Sequence, residues 1–194
     1  MNLKSIDGAI ARSWTARFAV AVMFILIAVA PRGFSADAPP MTEQQVKARC
    51  LLNFAKYIDW PSNAASTNIT LRIGCVAEGK ILDSLKEAAE GKLIGERKVQ
   101  VVAADAPEAW AGCDILFVNS SERKRLPQIL NRLKDLPVLV VGESDQFLQQ
   151  GGAVNLLKKE GKVRFEINVD AARAAHLQIS SKLLTLADNV QGKP

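Results

Sequence analysis

Histidine is almost missing from this chain. Among 194 residues there is only His176. Nucleophilic catalysis by Ser or Cys needs a neighbouring base, and His176 stands in an Ala-Ala-His-Leu context with no acid directly beside it. It reads as a structural histidine. Cysteine is scarce as well. Cys50, Cys75 and Cys113 are far apart in the chain, so zinc-type spacing is absent, and three thiols allow at most one intrachain pair. Glycine-rich phosphate loops and the Gly-x-Ser-x-Gly elbow are missing. The stretch 76–80 after the first expected strand has one glycine and one acid, a poor phosphate cradle. The carboxylates Asp83, Glu87, Glu108, Asp114, Glu143, Asp145 and Glu166 are scattered, and no spacing singles out an acid–base pair. No catalytic residue, metal ligand or cofactor is expected.

No apolar run is long enough for a comfortable membrane span of about 20 residues. The longest, residues 18–30, has 13, and it follows the bases Lys4, Arg12 and Arg17 and precedes Pro31 and Gly33. That order is a secretory signal, assigned here to residues 1–36, with an uncleaved anchor as the alternative. A linker at 37–41 leads into one domain spanning 42–191. The formal charge of +5 is partly a property of the leader, which holds four bases and one acid. The one dense basic run, Arg123-Lys124-Arg125 followed by Arg132 and Lys134, points in several directions on a helix and reads as a solvated face. Nucleic-acid binding is not expected.

The remainder alternates strand and helix. Thr42 with Gln45 makes a capping box. The helix it opens carries Val46, Cys50, Leu51, Phe54, Ala55 and Ile58 at helical spacing and stops at Trp60-Pro61. Strands are expected at 69–77, 98–103, 114–118 and 137–141, and helices at about 81–90, 107–110 and 121–134, the last capped by Ser121. The runs 114–118 and 137–141 are almost wholly apolar, as in strands covered on both faces. Gly151-Gly152 then opens a strand at 153–158, Glu160-Gly161 makes a tight turn, and 163–169 runs back. There Val163, Phe165 and Ile167 alternate with Arg164, Glu166 and Asn168, giving a polar face on which Glu166 could pair across the strands with Lys158. Short helices at about 170–175 and 181–189 close the chain, with Ser180 or Ser181 capping the second. This is an α/β fold, a mainly parallel sheet flanked by helices with a C-terminal antiparallel hairpin.

Three features could carry binding. Trp60 either seals the core or belongs to an exposed contact patch. Asn119, Ser120 and Ser121 follow a buried strand and either cap a helix or hold an anion. With Glu143 they would line the crevice at the strand C-terminal ends where open α/β sheets place small ligands. Leu52, Asn53, Phe54, Tyr57, Trp60 and Pro61 put large side chains on more than one side of the first helix. A core takes one stripe of a helix, so these six form the expected partner-binding patch.

Five blocks resemble the YfiR family. They are VKARCLLNFAKYIDWP at 46–61, GCDILFV at 112–118, PVLVVGE at 137–143, the Gly151-Gly152 pair with VRFEINVDAAR at 163–173, and ISSKLL at 179–184. They run in order over about 44–188. The resemblance implies a three-layer α/β sandwich, often a homodimer, in the periplasm. It also implies a non-enzymatic regulator that binds the periplasmic sensor region of an inner-membrane diguanylate cyclase, represses it, and lowers cyclic-di-GMP signalling and biofilm formation. A small-molecule binder using the strand-end crevice is the alternative. The resemblance further implies a disulfide between Cys75 and Cys113. A simple parallel pair opposes it, because the end of one strand lies far from the start of the next and a disulfide needs Cα atoms within about 7 Å. Cys50 replaces an apolar aromatic and reads as a buried thiol.

Overall fold

The computed structural model describes residues 40–61, 69–76 and 79–193. The expected leader and all but the end of the linker lie outside these residues. From Met41 onward the chain forms one compact unit.

Helix α1 (Glu43–Phe54) begins as its sequence dictates. Thr42 Oγ1 accepts the Gln45 N–H at 3.3 Å, and Gln45 Oε1 accepts the Thr42 N–H at 3.0 Å. Strand β1 (Ile58–Asp59) follows, then β2 (Thr70–Val76), α2 (Lys80–Ala89), β3 (Leu93–Ile94), β4 (Arg97–Ala103) and α3 (Pro107–Trp110). The chain continues through β5 (Ile115–Val118), a 3-10 helix (Ser120–Arg125), α4 (Leu126–Arg132), β6 (Leu139–Gly142), β7 (Val154–Lys159) and β8 (Lys162–Asn168). It ends with α5 (Val169–Ala174), β9 (Gln178–Ile179), α6 (Ser181–Leu186) and β10 (Asn189–Gln191).

Eight strands form one sheet in the order β10-β8-β7-β6-β5-β2-β4-β3, and β1 and β9 pair separately as an antiparallel ribbon. The strands β4, β2, β5, β6 and β7 are parallel. Counted in chain order they lie 2-1-3-4-5, an order of doubly wound sheets. The fold is the α/β sheet with flanking helices that the alternating pattern predicts. The β7–β8 hairpin turns on Glu160 and Gly161, both at positive φ (51° and 75°) as a primed turn requires.

Each face of the sheet has its own core. On the first face α1, α2, α5 and α6 cover Leu71, Ile73, Cys75, Ile115, Phe117, Leu139, Val141, Val154 and Ile167. On the second, α3 and α4 cover Val76, Leu116, Val118 and Val140, around the fully buried Trp110. Among the described residues this second core takes nothing from β7, β8 or β10. The connection from β6 to β7 carries no helix, and Phe147 fills its place. A Cβ on Gly142 or Gly152 would collide with the Phe147 ring, so both positions need glycine.

Four local readings are corrected. The first helix ends at Phe54 rather than at Trp60-Pro61, and Ile58–Asp59 pairs with β9 instead. The helix after β5 is capped by Asn119 rather than Ser121, with the Ser121 N–H donating to Asn119 Oδ1 at 3.0 Å, and its first turns are 3-10. The last helix stops at Leu186 instead of reaching 189, because Asn189–Gln191 pairs parallel to β8. Glu166 faces Asn155 in the register, and Lys158 faces Val163 and bonds Glu43 instead. Ser180 is the cap of α6.

Candidate functional site

Helix α1 lies along the first face with its two ends at opposite ends of the sheet, roughly 18 Å apart at 1.5 Å per residue. Each end carries a candidate site.

At the C-terminal end of α1, the six-residue patch divides. Leu52 and Phe54 are only 4% and 2% exposed, and the Phe54 ring meets Phe165 edge-on at 5.1 Å. They are corrected to core residues. Because α1 packs among the sheet, α2 and the C-terminal Leu177 and Leu183, its buried surface is wider than one stripe. Asn53 is exposed, and Tyr57, Trp60 and Pro61 are half-buried. The ribbon of β1 and β9 holds this segment, with the Ser180 N–H donating to Tyr57 O at 2.9 Å.

Trp60 lies near charge. The Arg97 guanidinium is 5.9 Å from its ring centroid and bonds Asp114 Oδ1 at 2.6 Å and Thr70 O at 2.8 Å. Asp114 also accepts the Arg72 N–H at 2.7 Å. Trp60 Nε1, Arg72 Nε and Arg97 Nε are buried donors without a partner. This end of the sheet therefore has donors to spare.

The other end has spare acceptors. Lys47, only 7% exposed, bonds Glu143 at 2.6 Å and Glu43 at 2.7 Å. Burial pulls its pKa down, but the two carboxylates outweigh that and raise it. Glu43 also takes Lys158 at 2.9 Å, and hydrogen bonds from the two lysines lower its pKa to about 2. Glu143 faces the Ser120 N–H at 3.4 Å. Asn119, Ser120 and Glu143 thus share one crevice of about 560 Å³ with Gln44, Lys47 and Asn155. Ser121 does not line it; its N–H is taken by the Asn119 cap. Asn155 Oδ1 is buried without a partner.

Cys75 and Cys113 are free thiols. In this structure the two side chains belong to different cores. Cys75 belongs to the first core, while Cys113 lies on the second face, where its Sγ fills the space a Gly74 Cβ would need. Neighbouring strand residues point to opposite faces. Burial raises the thiol pKa to about 12 at Cys75 and about 11 at Cys113, and also raises that of Cys50. Arg164 is exposed, and Glu166 and Asn168 are half-buried; Asn168 caps α5 through the Ala171 N–H at 3.0 Å.

The sequence reading missed Lys47, Arg97 and Asn155. A lysine within the apolar spacing of α1 and an asparagine inside the run 153–157 were the available signals. No group of His, Cys, Asp and Glu among the described residues could hold a metal.

A family model described as YfiR/HmsC-like matches residues 44–188. The chain belongs to the YfiR/HmsC-like family. The match covers all five blocks that carried the resemblance, and the family is one of periplasmic, regulatory and non-catalytic proteins. Two solved structures are similar in fold at 12% identity and TM-score 0.49. One is an ABC domain in complex with L-Trp from Streptococcus pneumonia, covering 74% of this chain and 60% of its own. The other is a conserved domain protein from Vibrio cholerae, covering 78% and 61%. The YfiR/HmsC-like chain therefore spans about three fifths of each.

Proposed function

We propose that this protein is a non-enzymatic periplasmic regulator that binds the sensor region of an inner-membrane diguanylate cyclase and restrains it. Cyclic-di-GMP signalling and biofilm formation fall as a result. The family match over residues 44–188 carries this reading. The contact surface is the end of α1 with β1, where Asn53, Tyr57, Trp60 and Pro61 remain available and Leu52 and Phe54 act as their packed support. An aromatic beside arginines is the composition of interface hot spots. Self-association into a homodimer belongs to the same reading and is read by sedimentation velocity.

The test is a pull-down of the tagged protein from solubilised inner membranes, read by mass spectrometry. Recovery of a membrane diguanylate cyclase, lost with Trp60→Ala at unchanged folding, supports the reading. A hot-spot loss of about 2 kcal/mol would weaken binding roughly thirtyfold. Recovery of no cyclase from folded protein refutes it. A second reading, small-molecule binding, is favoured by one observation, the unsatisfied Asn155 in the strand-end crevice.

A further inference from the structure

Strand β7 pairs with β6 only at Val141 with Val154 and Gly142 with Asn155, then runs on to Lys159. The hairpin therefore overhangs the ends of β5 and β6. The overhang, the first turns of α1 and the loops after β5 and β6 enclose about 560 Å³. That is room for a small metabolite.

The charges of this crevice select the ligand. Both of its lysines are spent, Lys47 between Glu43 and Glu143 and Lys158 on Glu43. Asp145 lines the crevice, exposed and without a partner among the described residues. With Glu43, which pairs with both lysines from beside the crevice, three carboxylates meet two ammonium groups, and no cation is left for an anion. Asn155 is 8% exposed, and its Oδ1 has no donor. It stands in a buried run between Val154 and Leu156, where an apolar residue would pack without leaving an acceptor unpaired.

We propose that the strand-end crevice binds a small solute through a protonated primary amine, received by Asn155, Glu143 and Asp145. The amine supplies the missing donor and the missing positive charge together. Binding at this site does not depend on the partner reading, because it is measured on this chain alone.

Calorimetric titration of the full chain with putrescine and L-ornithine, with succinate as the anionic control, tests the proposal. Saturable binding of at least one amine and none of succinate is expected. Putrescine alone would mark a diamine site; ornithine alone would mark an amino-acid site. Asp145→Asn, at an exposed position, should weaken binding about tenfold with the thermal midpoint unchanged. Asn155→Ala should remove binding while the ligand-free midpoint stays close to that of the parent. Absence of saturable heat with both amines at millimolar concentration overturns the proposal. So does binding that survives both substitutions, or equal binding of succinate.

Discussion

The two sides of the sheet are built to different standards. β2, β5 and β6, in the middle of the sheet, are covered on both faces, and β5 and β6 are buried at every residue. From β7 to β10 only the first face has a core, and the other shows Arg164, Glu166 and Asn168. The difference originates in the connections. Crossovers that carry helices lay a second layer over the strands they join, whereas the β6–β7 connection offers only Phe147 and Leu148. Stability is therefore expected to concentrate on the covered side, and the crevice lies where the two sides meet.

The largest break in this contrast should come from Trp110→Ala. The side chain is fully buried and its Nε1 donates to Ala104 O at 2.7 Å. Loss of an aromatic of this kind costs about 3–5 kcal/mol, so urea unfolding should show a large fall in midpoint. Next is Lys47→Met, at the junction. It leaves Glu143 poorly solvated and unpaired, a change that costs about 3 kcal/mol for buried pairs. Adding Glu143→Leu should recover much of that loss in the same assay. If Lys47→Met alone were neutral, the junction would not depend on this ion pair.

Acid sharpens the comparison further. Glu43 has a folded-state pKa of about 2, below its ordinary value of 4.5. A depressed carboxyl stabilises the fold above the unfolded pKa, and that contribution fades as pH falls from about 4.5 through about 2. Its side chain is 35% exposed, so solvent screening keeps the effect below about 1 kcal/mol. Glu43→Gln should flatten the stability curve in that window, as read by denaturant melts. Smallest is Glu166→Gln on the uncovered face. Among the described residues it makes no ion pair, and stability should change by less than about 0.5 kcal/mol. A large change there would show that the open face is covered in solution.

Much of the fold is legible in residue order. The capping box at Thr42 and Gln45, the apolar runs of β5 and β6, and the alternation in β8 each fix a local conformation through contacts a few residues apart. The short strands β1, β3, β9 and β10 were not foreseen. Two or three residues hold too little periodicity, and their partners are far away, Ile58 with Ile179 and Val190 with Ile167. The site was half legible. Asn119, Ser120 and Glu143 follow from the rule that ligands sit at strand ends, whereas Lys47 and Asn155 join them only through packing.

Local chemistry thus determined by itself where α1 starts and that β5 and β6 are buried on both faces. Only the tertiary structure decided that Leu52 and Phe54 are core, and that Cys75 and Cys113 lie on opposite faces. It also decided that Lys47 and Glu143 meet across 96 positions of chain. Such facts depend on which surfaces are brought together, and distance along a chain carries no record of that.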